Sequence, residues 1–223
     1  MGALVQSVEV PANKRFIAIA GNIGSGKTTL TELLAKRYSW DPHFEVVNGN
    51  PYVADFYGDM KRWSLPLQVF FLSKRFQAHQ AILGSNASAI QDRSIYEDAH
   101  IFARTLFESG KMDKRDYENY LDLYGTMTQF LVPPDLVVYV RRSVECIQSR
   151  IRERGRDYER DIPSDYLHHL NRCYDEWIHG YRIGKVLTVN ADNLDLKWNP
   201  ADFSYVCASI ENSLEQQDLF VTC

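Results

Sequence analysis

Phe16-Ile17-Ala18-Ile19-Ala20 runs directly into Gly21-Asn22-Ile23-Gly24-Ser25-Gly26-Lys27-Thr28-Thr29, and that junction decides the fold. The second stretch reads G-x-x-x-x-G-K-[ST], the spacing of a phosphate-cradling loop. The apolar run before it suits a buried parallel strand, and Leu30, Leu33 and Leu34 behind it fall at helical spacing. Glycines let successive backbone N–H groups turn inward around an anion, while the helix that follows points its positive end at the same charge. Residues 21–29 are therefore expected to bind ATP, with Lys27 reaching the β/γ-phosphates and the Thr28 hydroxyl on Mg²⁺.

Outward from this unit the pattern keeps alternating. Phe44-Glu45-Val46-Val47 reads as a second strand, broken by Asn48-Gly49-Asn50-Pro51. Residues 52–63 predict a short aromatic helix and 65–83 a longer one. Residues 87–92 predict a third strand ending in Asp92, and helices follow at about 95–108 and 114–131. Leu136-Val137-Val138-Tyr139-Val140 is a β-branched fourth strand; helices at 143–153 and 164–179, a fifth strand at 186–190 and a helix at 200–215 complete the chain. Strands alternating with helices predict an α/β, three-layer P-loop fold: a five-stranded parallel sheet covered on both faces. The 223 residues carry no repeat or linker, so one domain is expected, with about 1–14 and 216–223 frayed.

Composition excludes several classes of protein. An apolar fraction of 45% and a charged fraction of 24% are ordinary for a globular chain, and a net charge of −4 gives no general attraction for nucleic acid or an anionic membrane. No apolar run approaches a membrane span, and the first residues lack the apolar core of a signal peptide. Cys146, Cys173, Cys207 and Cys223 are far apart and form no zinc spacing, which suits reduced thiols in a cytoplasmic protein.

A doubly wound sheet places its ligands at the carboxyl ends of its strands. Here those ends bring the phosphate loop, Glu45, then Asp92 and Arg93, and lead toward the arginine-rich Arg150-Ile151-Arg152-Glu153-Arg154-Gly155-Arg156. Both signs of charge at one sheet edge suit phosphoryl transfer, in which a protein positions reactants, neutralises phosphates and orients a nucleophile.

Glu45, Asn50-Pro51-Tyr52, Asp55-Phe56-Tyr57, Leu67-Gln68, Asp92-Arg93-Ser94-Ile95-Tyr96-Glu97-Asp98 and the R-x-x-x-R-G-R of residues 150–156 together resemble the deoxyribonucleoside kinases, most of all their bacterial deoxyadenosine/deoxyguanosine branch. The resemblance runs from about residue 15 to 192. It implies that Glu45 is the general base taking the proton of a sugar 5′-hydroxyl, although Val46, Asn48 and Gly49 stand where many relatives have proline and acids. It implies that Arg93 holds the 5′-oxygen and phosphate region as a catalytic group with Lys27, and that Asp92 joins Thr28 at Mg²⁺.

The same resemblance assigns the acceptor side. Gln68 makes paired hydrogen bonds to the base; Arg75 and Asp98 match the pair found in members that take deoxycytidine or purine deoxynucleosides; Tyr57 and Glu159 match positions at the sugar 3′-hydroxyl. Phe71, Phe102 and Tyr96 are candidate walls of the base pocket. On the donor side, Arg150, Arg154 and Arg156 resemble a lid over the phosphates, with Gly155 allowing the last of them a new direction, and Asp192 borders the donor's adenine. A homodimer is expected, because relatives pair through helices.

Each residue also has a plainer reading. Asp92 with Arg93, or Arg75 with Asp98, would serve as an ion pair; Tyr57 would serve as a core aromatic; the arginines would serve as a solvated helix end. Two rival functions remain in view. A nucleoside monophosphate kinase needs extra cations for its acceptor's phosphate, whereas Gln68, Tyr57 and Asp98 suit a neutral nucleoside. A regulatory nucleotide-binding protein would keep the loop and lose Glu45. The expectation is a purine deoxynucleoside kinase, with a deoxycytidine-preferring enzyme as the alternative.

Overall fold

The computed structural model describes residues 14–45, 49–156, 159 and 162–215. Its centre is a five-stranded parallel sheet in the order β2-β3-β1-β4-β5, made of β1 (Phe16–Ala20), β2 (Asp41–His43), β3 (Ala89–Asp92), β4 (Leu136–Arg141) and β5 (Lys185–Asn190). The helices are α1 (Lys27–Tyr38), α2 (Val53–Gly58), α3 (Met60–Gly84), α4 (Arg104–Glu108), α5 (Lys114–Thr128), α6 (Val144–Arg154), α7 (Ser164–Gly180) and α8 (Pro200–Glu215). Successive side chains of a strand point to opposite faces, and β1 divides accordingly. Ile17 and Ile19 pack toward α1 and α8, while Ala18 and Ala20 face a core built with α3, α4 and α7. Small alanines on that side leave room for bulky neighbours such as Tyr139 and Tyr174, whose rings stack 5.5 Å apart.

Three local departures from the sequence reading matter to the site. The second strand is Asp41–His43 and not 44–47, so Glu45 stands beyond the strand end; Val46 and Val47 lie outside the described residues. An edge strand tolerates Pro42 because its missing N–H is not needed by a second neighbour. The expected helix over 95–108 does form, over residues 96–108, but its middle, Asp98–Ala103, is wound as a π-helical turn that leads into α4. Helix α3 starts earlier than expected, at Met60, where the Asp59 side chain accepts from the Arg62 amide at 3.1 Å, and it carries Pro66 within it. At its far end the buried Lys14 ammonium donates to the carbonyls of Ile82 and Ser85, both at 2.6 Å, satisfying groups a helix end leaves open.

Candidate active site

The phosphate loop connects β1 to α1 as the spacing requires, and its glycines have geometric reasons to be glycine. At Gly21, φ is 149°, and a Cβ would lie 2.6 Å from Ser25 Oγ and 2.7 Å from the Val140 carbonyl. Gly26, at φ 99°, turns the chain into α1 and lies beneath the guanidinium of Arg150. Asn22 is buried and anchors the loop, donating to the Leu167 carbonyl at 3.0 Å and to Asn171 Oδ1 at 2.8 Å.

A cavity of about 330 Å³ opens at the carboxyl ends of β1, β2 and β3. From the phosphate loop and the start of α1 Ile23, Gly24, Lys27 and Thr28 line it; from α2 and α3 come Tyr57, Gln68, Phe71 and Arg75; Glu45, Asp92, Arg93 and Phe102 also line it; and Arg154, Arg156 and Glu159 close one wall. Gln68 and Arg75 share the inner face of α3, which also buries Ser64, Leu72 and His79. Most residues predicted for the site therefore meet around one space.

Charges inside it are dense. Arg75 forms short ion pairs to Asp98 Oδ1 and Glu45 Oε1, and Arg93 Nε lies 3.3 Å from the same Glu45 oxygen. Burial alone would raise the Glu45 carboxyl, but Arg93, Arg75 and Lys27 outweigh it and bring its pKa down to about 2. Lys27 moves the other way: burial, reinforced by Arg93, lowers it to about 7 against the pull of Asp92, Glu97 and Glu45. Its ammonium donates to the Asn22 carbonyl at 2.7 Å. Thr28 Oγ1 donates to Asp92 Oδ2 at 2.5 Å, while Asp92 Oδ1 is buried without a partner among the described residues. Two hard oxygen donors side by side, one unsatisfied, fit Mg²⁺ better than a soft metal.

Arg93 has φ 70°, in the left-handed region that a non-glycine residue rarely adopts. Its amide still continues the sheet by donating to the Ile19 carbonyl at 3.0 Å. The guanidinium lies 4.3 Å above the Phe102 ring and donates to the Tyr174 hydroxyl at 2.7 Å. In the arginine-rich segment, Gly155 ends α6 at φ 68°, and Arg154 and Arg156 both reach Glu159, the second at 3.3 Å.

Other predicted residues lie elsewhere. Tyr96 is not a wall of this cavity; it packs edge-on against His79, centroids 5.9 Å apart. Asp98 is fully buried behind Arg75, with Oδ2 lacking a partner among the described residues. Gly21, Asn22, Ser25, Gly26 and Thr29 shape the loop without lining the cavity, and Asp192 Oδ1 accepts at 2.8 Å from the amide of Ser143, the residue that caps α6. Sequence reading missed Phe44, Phe56 and Tyr166 on the lining and Glu97 and Tyr174 beneath it. Glu108, His169 and Cys173 also cluster, but Arg104 and Arg172 hold the carboxylate at 2.6 and 3.2 Å, making an ion-pair network.

This arrangement can be set beside known proteins. The family model described as Deoxynucleoside kinase matches residues 17–215. The chain is 39% identical over 189 residues to the deoxyadenosine/deoxycytidine kinase of Bacillus subtilis, covering 84% of this chain and 87% of that one. It is 32% identical over 200 residues to the deoxyguanosine kinase of the same organism, covering 88% and 96%. Among solved structures, a deoxyadenosine kinase from M. mycoides with dCMP and dCDP bound superposes with a TM-score of 0.79 at 29% identity, over 88% of this chain and 99% of that one. A family model spanning nearly all the described residues, and relatives matched over most of their length, point the same way as the cavity. The chain belongs to the deoxynucleoside kinase family.

Proposed function

We propose that this kinase moves the γ-phosphoryl group of ATP to the 5′-hydroxyl of a purine deoxynucleoside, with Glu45 as general base. The observation that carries the reading is that Glu45, Lys27, Arg93 and Gln68 all line one cavity. The sugar oxygen attacks the γ-phosphorus, the bond to the β–γ bridging oxygen breaks, ADP departs, and the 5′-hydroxyl proton passes to Glu45. Both arginines contact Oε1, so in this reading the proton goes to Oε2. Loop amides and Lys27 hold the donor phosphates, Arg93 the transferring group, and Arg150, Arg154 and Arg156 neutralise charge from above. Thr28 and Asp92 would hold Mg²⁺, which when bound offsets charge on the β- and γ-oxygens.

On the acceptor side, Gln68 offers a donor and an acceptor in one plane, and its buried Oε1 has no partner among the described residues. Phe71 and Phe102 flank the base, Tyr57 and Glu159 take the sugar, and Arg75 with Asp98 sets base preference. The deoxyguanosine kinase relative supports the purine preference, whereas the deoxyadenosine/deoxycytidine kinase supports deoxyadenosine and deoxycytidine alike. Its three described cysteines are free, in keeping with a cytoplasmic enzyme, and a homodimer completes the proposal. A panel of four deoxynucleosides with ATP and Mg²⁺ tests it. Deoxyadenosine or deoxyguanosine should give the highest kcat/KM and thymidine the lowest; a highest value for deoxycytidine overturns the base preference, and no transfer to any overturns the reaction.

Lys27 gives a second test. With its pKa near 7 in the free protein, it is charged below that pH and increasingly neutral above it. Polyphosphate favours the charged form, so ATP binding at pH 8 should take up about one proton and weaken as pH rises further. Calorimetry at pH 8 in two buffers of different ionisation enthalpy should give different heats, and the difference should shrink at pH 6. Equal heats at pH 8 would show that Lys27 is already charged.

A further inference from the structure

We infer that Glu97 is a positioning residue for phosphoryl transfer: through Tyr174 and the first amide of the phosphate loop, its carboxylate locks Arg93 in register with the donor. Glu97 is fully buried and lies beneath the cavity without lining it. Its Oε2 accepts from the Tyr174 hydroxyl at 2.6 Å and, more distantly, from the Gly21 amide at 3.5 Å. The same oxygen lies 3.7 Å from Arg93 Nη1, which itself donates to Tyr174 at 2.7 Å. One carboxylate thus touches the start of the donor loop and, directly and through one hydroxyl, the arginine assigned to the transferring group.

A purely structural role is the competing explanation, and the geometry weighs against it. Ser94-Ile95-Tyr96-Glu97 has the spacing of a capping box, and Glu97 Oε1 does accept from the Ser94 amide at 2.9 Å. The reciprocal half is missing, since Ser94 Oγ is buried without a partner among the described residues. Capping is also satisfied by an exposed side chain, whereas a carboxylate buried this deeply is costly unless its charge and lone pairs are used. Arg93 supplies the use. Its left-handed backbone conformation persists only where the surroundings over-determine it, and Glu97, Tyr174 and Phe102 are those surroundings. Tyr174 cannot swing away, because its ring is stacked on Tyr139.

This inference rests on the proposed role of Arg93, so its test includes that residue. Glu97→Gln keeps the shape and the Ser94 bond but loses the charge and the acceptor facing Tyr174; Tyr174→Phe keeps the carboxylate and cuts the link. For each, melting temperature, the Kd of ATP and of deoxyadenosine, and kcat at saturation are measured beside Arg93→Lys. Both variants should bind ligands within a few-fold of the parent while kcat falls about 10- to 100-fold, the scale of a misplaced catalytic group. Their double variant should be no slower than the worse single one, because both act through Arg93. A lowered melting temperature with parental kcat per folded enzyme would reduce Glu97 to a structural residue and overturn the inference. If Glu97→Gln does not fold, Tyr174→Phe decides alone: parental kcat overturns the inference. Parental kcat in Arg93→Lys instead overturns the Arg93 reading, whereas an impaired Arg93→Lys beside fully active Glu97→Gln and Tyr174→Phe sinks the Glu97 role only.

Discussion

Glu45→Gln should lower kcat by about 10²- to 10⁴-fold while deoxynucleoside binding changes only a few-fold. Glutamine matches the carboxylate in shape and can still accept from Arg75 through its amide oxygen, so the pocket keeps its walls. It cannot accept the 5′-hydroxyl proton. A carboxyl held at about pKa 2 is a weak base, and that is compatible with the chemistry. The hydroxyl becomes acidic only as its oxygen bonds to phosphorus, so the base must be ionised and in place rather than strong. With its pKa this low, Glu45 is ionised throughout the neutral range, and protonation of the base should cost no activity until pH approaches about 3. Initial rates combined with calorimetric nucleoside binding check the prediction. A variant that binds normally and turns over within threefold of the parent removes Glu45 from proton transfer and leaves it as a counter-ion for the two arginines.

How much of this was legible in the sequence depends on how narrowly physics restricts each stretch. The loop at residues 21–29 was readable because cradling phosphate demands glycine where a Cβ would strike Ser25 or the Val140 carbonyl. Gln68 and Arg75 were readable as a pair because two helical turns return to the same face. Asp41–His43 was not, since a short polar edge strand with a proline carries no apolar pattern and takes its pairing from β3 alone. The same limit hid Glu97. A glutamate in Ser94-Ile95-Tyr96-Glu97 reads as a helix cap, and its burial is set by Tyr174, which α7 delivers from far along the chain. Tyr96 failed in the opposite direction: an aromatic beside the motif was expected on the pocket, but the turn it begins points it at His79.

The Arg75 and Asp98 pair shows how the structure sharpens a specificity prediction. Asp98 is fully buried and Arg75 is its counter-ion, so Arg75→Met alone leaves a bare carboxylate inside the protein. Removing one partner of such a pair costs about 3–5 kcal/mol, a fall of roughly 10 °C in Tm for a chain of this size. Arg75→Met with Asp98→Ala deletes both charges, and most of that stability should return. Glu45 loses one arginine in either variant, yet Arg93 and Lys27 remain to keep it ionised at neutral pH. On the proposed mechanism the base and the phosphate machinery therefore stay intact in the double variant, and what changes is the charged pair proposed to set base preference. Thymidine should gain at least about tenfold in kcat/KM relative to deoxyadenosine, about the discrimination a lost polar contact produces. Thermal melts of both variants and competition among the four deoxynucleosides measure the two effects separately. Equal Tm values for single and double variants would mean that Asp98 is not held by Arg75. An unchanged ranking of nucleosides would mean that the pair anchors α3 to the π-helical turn and reads no base, leaving Gln68 as the polar reader of the nucleobase.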